Sequence, residues 1–227
     1  MPGTHATGSA APARAAPFRL VVLVSGNGSN LQAFIDRVAD GSLPATIAAV
    51  VSNKPDVHAL ERARRAGIDT AVVDHRAYAS RDAFDRALAA RIDAYRPDLV
   101  ILAGFMRILT PAFVHHYAGR LLNVHPSLLP KFTGMDTHAR AIAAGETEHG
   151  CSVHFVTEEL DGGPVVAQAC VPVHPDDTPD TLRARVQHAE HRLYPLVAGW
   201  LASGRLRLAA HGVTLDGAPL TEPVRNP

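Results

Sequence analysis

The stretch LVVLVSGNGSNLQAFIDRVADG, residues 20–41, decides the fold that this sequence predicts. Leu20–Ser25 is a short apolar run rich in Val, which is typical of a buried parallel strand. After a glycine turn, apolar residues recur at helical spacing through Leu31–Ala39, and Gly41 ends that helix. A buried strand that leads through a tight turn into a helix is the start of a βαβ unit.

The same alternation continues towards the carboxyl terminus. Three more strands are predicted at Thr46–Ser52, Thr70–Val73 and Leu99–Ala103. Helices are predicted between them, at Ala59–Ala66 and from an N-cap at Ser80 to about Tyr95. This rhythm predicts an α/β fold with a Rossmann-like, doubly wound and mainly parallel sheet.

The second half of the chain changes character. Its predicted elements are, in order, a short helix opened by Thr110-Pro111, a strand at Leu121–Val124, two strands at Cys151–Val156 and Val165–Val173, a long helix from Thr178 or Asp180 to about Ala202, and a strand at Leu206–Leu208. Because Gly162-Gly163 separates the two middle strands, we expect them to pair as an antiparallel C-terminal hairpin.

The composition of the termini sets the expected domain limits. Residues 1–17 are rich in Ala, Pro, Gly, Ser and Thr and lack the apolar core of a signal peptide, which predicts a disordered leader. No linker divides residues 18–208, so we expect a single domain with two lobes that meet near residue 117. Residues 209–227 form a tail with a hairpin turn expected at Asp216-Gly217, beyond which the chain is expected to fray.

Charge and composition exclude several classes of protein. The 22 Lys plus Arg and 22 Asp plus Glu residues cancel, whereas a general binder of nucleic acid or anionic membrane shows a basic excess. The longest apolar run, Leu99–Met106, is far shorter than the ~20 residues that span a bilayer. Two cysteines without a CxxC motif, Cys151 and Cys170, exclude a disulfide framework. We therefore expect a cytoplasmic protein that binds neither nucleic acid nor membrane, and its oligomeric state stays open.

The glycine turn Gly26–Asn30 is the first candidate binding site. It lies between a buried strand and a helix, where glycines allow close approach and the helix N-terminus offers free N–H groups. Residue 31 is Leu, so the GxGxxG dinucleotide motif is absent, and so is the P-loop motif. The turn predicts a site for one phosphate; the alternative is a glycine-rich turn in which Ser29 is an ordinary N-cap.

A second candidate site follows the strand that ends at His125-Pro126. Asn123 and His125 are two residues apart, so both side chains point to one face of the strand. An Asn amide can donate to a developing oxyanion, and a His can exchange protons near neutral pH. The alternative is a hydrogen-bonded His in a proline-rich turn. Asp161, in the turn ELDGGP, could orient the His, although Asp-Gly more often caps its own backbone and spacing alone does not link the two.

Two further clusters, one of histidines and one of arginines, are not expected to form functional sites. His188 and His191 lie three apart on a helix without an HExxH or HxH pairing, so we do not expect a metal site. Arg62, Arg64 and Arg65 are interpreted as a charged, solvated helix face.

Five segments together resemble the phosphoribosylglycinamide formyltransferase family. They are SGNGSNLQA at 25–33, AGFMRIL at 103–109, NVHPSLLPKF at 123–132, HGCSVHFVTEELDGG at 149–163 and AEHRLYP at 189–195. The pattern NxHPSLLP with a later Asp-Gly-Gly is specific for folate-dependent formyl transfer, and GNGSN indicates the glycinamide ribonucleotide branch. The resemblance extends from about residue 19 to residue 208.

The resemblance implies an enzyme that moves a formyl group from 10-formyltetrahydrofolate to the amine of glycinamide ribonucleotide in de novo purine biosynthesis, without a metal. It implies a formyltransferase fold with an N-terminal phosphate-binding lobe and a C-terminal folate-binding and catalytic lobe. The implied catalytic residues are Asn123, His125 and Asp161. The implied ribonucleotide-binding residues are Gly28, Ser29, Asn30, Gln187, His188, Ala189 and Glu190. The implied folate-binding residues are Arg81, Met106, Arg107, Ile108, Leu109, Asn123, Val156, Thr157, Glu158, Glu159, Leu160 and Asp161.

The chain departs from the family pattern at Thr133 and Asp136, where relatives often have Pro and sometimes His. A His there could support the catalytic carboxylate. If Asp136 pointed inward, it would instead add negative charge beside that carboxylate.

Three alternatives share part of this pattern. Formyltetrahydrofolate deformylase has the same catalytic core but normally carries an N-terminal regulatory domain, for which the leader is too short. The formyltransferase that modifies initiator methionyl-tRNA needs a C-terminal RNA-binding domain, which the tail cannot supply. A non-enzymatic phosphosugar-binding module would tolerate the loss of His125, whereas an enzyme would not.

Overall fold

The computed structural model describes residues 16–209 and 212–227, so the predicted leader lies almost wholly outside the described residues. The first half contains, in chain order, β1 Phe18–Val24, α1 Ser29–Ala39, β2 Ala45–Ser52, α2 His58–Arg65, β3 Thr70–Val72, a 3-10 turn His75–Ala77, α3 Arg81–Asp93, β4 Leu99–Leu102 and α4 Pro111–His116. The second half contains β5 Leu121–His125, α5 Thr137–Ala143, β6 Glu148–Phe155, β7 Val165–Pro172, α6 Pro179–Ala202, β8 Leu206–Ala209, β9 Gly212–Leu215, β10 Ala218–Pro219 and β11 Val224–Arg225.

The described strands form one large sheet and one small sheet. The large sheet has eight strands in the order β11-β7-β6-β5-β4-β1-β2-β3, and the small sheet has the order β10-β9-β8. Neighbouring strands from β3 through β2, β1 and β4 to β5 are parallel, while β6 is antiparallel to both β5 and β7. The predicted mainly parallel sheet with an antiparallel hairpin is therefore confirmed.

Helices cover both faces of the large sheet, which explains why its strands are apolar on both sides. Val22 of β1 belongs to the core that contains Phe34 of α1 and Tyr194 of α6. Its neighbour Leu23 points the other way, into the core that contains Phe84 of α3. The buried hydroxyl of Tyr194 donates to the carbonyl of Leu122 on β5 at 2.8 Å, so α6 is held against the strand that carries Asn123 and His125.

The helix starts follow the predicted capping residues. The Ser80 hydroxyl accepts from Ala83 N–H at the start of α3, and Thr110 caps α4 with Pro111 as its first residue. Thr178, rather than Asp180, caps α6. Within the described ranges, no helix combines the length and apolar character that crossing a membrane requires.

The prediction that the tail frays was wrong. The predicted turn at Asp216-Gly217 is found between β9 and β10. Beyond it, β11 joins the large sheet beside β7, and Asn226 N–H donates to the carbonyl of Gln168 at 2.8 Å. The tail thus covers the backbone edge of β7, which would otherwise be exposed.

Candidate active site

The carboxyl ends of β1, β4 and β5 meet at one edge of the large sheet. Leu23 of β1 is paired with Leu102 of β4, and Leu102 is paired with Asn123 of β5. Two strand spacings therefore separate the glycine turn from the Asn-His motif, a distance of about 10 Å. In a doubly wound sheet this edge is the usual place for ligands, next to the strand where the connection order reverses.

The glycine turn has the conformation of an open helix N-terminus. Gly28 is the N-cap of α1 with φ 77°, a left-handed conformation that favours glycine. A Cβ on Gly28 would lie 2.6 Å from the Cβ of Ala59, so close packing against α2 also requires glycine. No side chain caps α1, which excludes Ser29 as an ordinary N-cap. The N–H groups at the start of α1 are therefore available to an anion.

A cavity of about 270 Å³ opens beside this turn. It is lined by Ser25, Gly26, Asn27, Gly28, Ser29, Asn30, Ala103, Gly104, Met106 and Gln187. The cavity therefore joins the predicted phosphate turn to the first residue of the predicted folate loop. A second cavity of about 520 Å³ lies between α1, β7, α6 and the tail, and none of the predicted catalytic residues lines it.

Helix α6 brings two of its four predicted residues to the turn. Gln187 Nε2 donates to the hydroxyl of Ser29 at 2.8 Å, and Glu190 accepts from Asn30 Nδ2 at 2.8 Å. The side chain of Ala189, between them, is buried in the apolar core. His188 is exposed on the same helix.

Glu190 is a buried acid in this cleft. Burial raises its pKa to about 7, while the hydrogen bond from Asn30 acts in the opposite direction. The side-chain oxygen of Asn30 is buried without a partner among the described residues. The pair therefore presents both a titrating carboxylate and an acceptor without a partner among the described residues, beside the glycine turn.

Arg62 is a residue that the sequence interpretation missed. Its guanidinium donates to the carbonyl of Asn27 at 2.9 Å, to the side-chain oxygen of Asn27 at 3.1 Å and to Gln32 at 3.1 Å. All three acceptors are uncharged, so the positive charge beside the turn is not neutralised by them. Arg65, by contrast, pairs with Glu61 on the exposed face, as the solvated interpretation predicts.

The structure brings together the His and the Asp that spacing could not connect. Nδ1 of His125 lies 3.4 Å from Oδ1 of Asp161, and both side chains are 7% exposed. On its other side, Nε2 of His125 contacts the carbonyl of Phe132 at 2.9 Å. Each ring nitrogen of His125 therefore faces an oxygen atom, the Asp161 carboxylate on one side and the Phe132 carbonyl on the other.

The turn that carries Asp161 is held tightly. Asp161 has φ 54°, and its Oδ2 accepts from Gly134 N–H at 2.9 Å. A Cβ on Gly163 would lie 1.9 Å from the carbonyl oxygen of Phe155, so this position requires glycine for the approach of the two strands. Asp136 is exposed at the start of α5. It therefore does not add a negative charge to the interior beside Asp161.

His154 is a second residue that the sequence pattern does not indicate, because its position depends on strand pairing. It lies opposite Asn123 in the antiparallel pair of β5 and β6. Asn123 Nδ2 lies 3.2 Å from Nε2 of His154, and Nε2 lies 4.0 Å from Oδ1 of Asp161. Burial lowers the pKa of His154. The neutral ring can therefore accept a hydrogen bond from the Asn123 amide.

Most of the predicted folate-binding residues lie on two loops, 106–109 after β4 and 156–161 between β6 and β7, while Asn123 lies on β5. Met106 and Ile108 are 62% and 61% exposed, and Leu160 on the β6–β7 loop is 60% exposed. Such exposed apolar side chains beside a cleft favour an organic ligand. Arg107 lies over the Phe84 ring, whereas Arg81 is exposed at the start of α3.

The rest of the β6–β7 loop is tied to its surroundings. Glu158 forms an ion pair with His115 of α4. Val156 N–H donates to the carbonyl of Leu121 at 3.0 Å, and the Thr157 hydroxyl lies 3.5 Å from the carbonyl of Glu159. The loop is therefore tied to α4 and β5.

The sequence of this chain resembles those of known formyl transferases over most of its length. Residues 18–198 match the formyl transferase family. The chain is similar to phosphoribosylglycinamide formyltransferase of Escherichia coli (strain K12), with 58% identity over 201 residues that cover 88% of this chain and 95% of that protein. The protein of the same name from Haemophilus influenzae is 46% identical over 202 residues, covering 89% of this chain and 95% of its own length.

A solved structure shows the same architecture. The phosphoribosylglycinamide formyltransferase of Coxiella burnetii superposes with a TM-score of 0.89 at 51% identity. The match covers 93% of this chain and 100% of that chain. The similarity therefore includes the sheet, both faces of helices and the edge where the candidate residues lie.

Proposed function

The chain belongs to the formyl transferase family, and from this premise we propose that it transfers the formyl group of 10-formyltetrahydrofolate to the amine of glycinamide ribonucleotide. Formyl transfer with a folate-type substrate follows from the family. The identity of the acceptor is the finer proposal. Both relatives described above carry a name that specifies this acceptor.

One observation supports the acceptor above all. The open N-terminus of α1 and the pair His125–Asp161 lie at the same sheet edge, two strands apart. An acceptor with a phosphate at one end and an amine at the other can therefore be anchored while its amine reaches the formyl carbon. Anchoring at a distant phosphate converts binding energy into rate.

The chemistry begins with attack of the amine nitrogen on the formyl carbon. A new C–N bond forms, and the formyl oxygen takes up the electron pair of the C=O bond. In this proposal the Asn123 amide donates a hydrogen bond to that oxygen, and so does Nδ1–H of the protonated His125, whose contact with Asp161 is long at 3.4 Å and whose Nε2 stays on the carbonyl of Phe132. Both side chains lie on one face at the end of β5, where the buried surroundings strengthen such contacts.

The tetrahedral intermediate then collapses. The C=O bond re-forms, the bond from carbon to N10 of the folate breaks, and N10 keeps the electron pair. The attacking amine loses one proton and N10 gains one, so the net reaction needs no additional reactant. Asp161 would accept the proton from the amine, directly or through water, and its link to His125 would keep the imidazolium in place.

The test uses the purified chain with 10-formyltetrahydrofolate, with and without glycinamide ribonucleotide. We expect rapid release of tetrahydrofolate only when the ribonucleotide is present, with the formyl group recovered on its amine. His125→Ala is the control that separates enzymatic transfer from spontaneous transfer. Formate released at the same rate without the acceptor would identify a hydrolase and overturn the proposal.

A further inference from the structure

The Met106–Leu109 loop is fixed at both ends by buried side chains that come from other elements. At its start, Met106 N–H donates to the hydroxyl of Ser25 at 2.8 Å. Immediately after its end, Thr110 N–H donates to Oδ2 of Asp85 at 2.6 Å. Ser25 follows β1 and Asp85 lies on α3, so the two anchors are independent in the fold.

The Ser25 hydroxyl makes two hydrogen bonds within the protein. Its hydroxyl has one hydrogen, and an oxygen lone pair already accepts from Met106. The hydrogen is therefore donated to Oδ1 of Asn53, which lies 2.6 Å away and is completely buried. Although Ser25 lines the same cavity as Ser29, its hydroxyl is held by protein groups and serves the loop.

Asp85 uses one oxygen and leaves the other free. The residue is 3% exposed, and its Oδ1 has no hydrogen-bond partner in the described part of the chain. Burying an acidic side chain costs free energy, and a single hydrogen bond from a backbone N–H offsets only part of that cost. This contact is therefore expected to have a role of its own. The neighbouring Phe84 ring lies beneath the Arg107 guanidinium, so α3 contacts the loop at a second point.

Between the two anchors the loop leaves its own backbone open. The N–H groups of Arg107, Ile108 and Leu109 donate to no acceptor among residues 16–209 and 212–227. The side chains of Met106 and Ile108 also project into solvent. The segment is thus held firmly at its ends and presents unpaired polar and apolar groups between them.

We propose that Ser25 and Asp85 are positioning residues for folate binding, which hold the Met106–Leu109 loop in the geometry that contacts the folate. The inference rests on the proposed function only for the folate class of the ligand. Neither residue touches the reacting atoms. Their loss should weaken folate binding while leaving the chemical step at saturating folate nearly unchanged.

The test compares matched variants by calorimetric binding of 5-formyltetrahydrofolate, which is a stable folate. Asp85→Ala should raise Kd about tenfold, because the buried hydrogen bond that holds Thr110 N–H is lost. Asp85→Asn retains an oxygen for Thr110 N–H and should remain within about twofold of the unchanged protein. Asp93→Ala is the control on the same helix, since Asp93 bonds to Tyr117 and His116 of the neighbouring helix.

Ser25 is tested in the same way. Ser25→Ala should raise Kd by about five- to tenfold. Ser52→Ala is its control, because the fully buried Ser52 hydroxyl donates only to the carbonyl of Lys54 at 2.7 Å. The double variant Ser25→Ala/Asp85→Ala should raise Kd by less than the product of the two single fold-changes, because both anchors act on one loop.

Steady-state kinetics completes the test. For both alanine variants, KM for 10-formyltetrahydrofolate should rise and kcat should stay within about twofold. The inference is overturned if Asp85→Ala binds folate as tightly as the unchanged protein. It is also overturned if the Kd of Asp85→Asn is as high as that of Asp85→Ala, or if Asp93→Ala raises Kd by as much. Failure of the unchanged protein to formylate glycinamide ribonucleotide would instead refute the proposed acceptor, and the binding result would still decide the role of the anchors.

Discussion

Nε2 of His154 lies 3.2 Å from the amide nitrogen of Asn123, directly across the β5–β6 pair. The other ring nitrogen of His154 lies 3.0 Å from the carbonyl of Phe155 and donates its hydrogen there. Because burial lowers the pKa of His154, the ring stays neutral and Nε2 keeps its lone pair. The Asn123 amide is thereby fixed with one hydrogen on His154 and its second hydrogen directed away from it.

The first prediction follows from this contact. His154→Phe removes the acceptor, and we expect kcat to fall about tenfold because the Asn123 donor is no longer oriented towards the developing oxyanion. His154→Gln supplies a side-chain oxygen that can accept the same bond and should retain more activity than His154→Phe. Stopped-flow or steady-state kinetics with both substrates measures the difference. Equal losses in the two variants would show that orientation of Asn123 is not the role of His154.

The second prediction concerns the His125–Asp161 pair. His125→Ala and Asp161→Asn should each slow turnover by roughly 10²-fold, because the first removes a donor to the oxyanion and the second removes the carboxylate that holds it. Binding of 5-formyltetrahydrofolate, measured by calorimetry, should change far less. Near-full activity in Asp161→Asn would refute the role given to that carboxylate.

The arrangement of the parallel strands could be predicted because each one carries a local signal. Leu20–Val24 is apolar throughout, and the observed strand Phe18–Val24 is buried between two layers of helices. Ser80 and Thr178 mark helix starts by their capping hydroxyls, which act within a few residues along the chain. Local patterns of this kind predict local structure.

The residues that the sequence did not predict depend on contacts between distant segments. His154 contacts Asn123 only because β6 pairs antiparallel with β5 after the intervening residues 126–147. No turn motif in the sequence indicates that pairing. β11 is two residues long, too short to show a period. Arg62 lies in a run of arginines typical of a solvated helix, and only the pairing of β2 beside β1 brings α2 over the glycine turn.

The third prediction uses that position of Arg62. Arg62→Ala removes three hydrogen bonds from the turn and an adjacent positive charge, so KM for glycinamide ribonucleotide should rise about tenfold. KM for 10-formyltetrahydrofolate should stay nearly constant. Arg65→Ala, on the same helix but paired with the exposed Glu61, is the matched control and should leave both values unchanged. An equal effect of the two substitutions would show that general charge, and not the turn, is responsible.

The fourth prediction concerns the buried acid Glu190, whose pKa is raised from 4.5 to about 7. In the unfolded chain Glu190 ionises at lower pH, so its contribution to stability is full below pH 4.5 and is lost as pH rises through 7. Glu190→Gln removes this titration. Its free energy of unfolding, measured in urea, should therefore be about 3 kcal/mol higher than that of the unchanged protein at pH 8, with little difference at pH 4.5. The same variant should raise KM for glycinamide ribonucleotide about tenfold at pH 8, because a carboxylate accepts stronger hydrogen bonds from ribose hydroxyls than an amide does. Glu222→Gln, at an exposed acid of the tail, is the control and should alter neither quantity. A stability gain that is independent of pH would mean that ionisation of Glu190 is not its source.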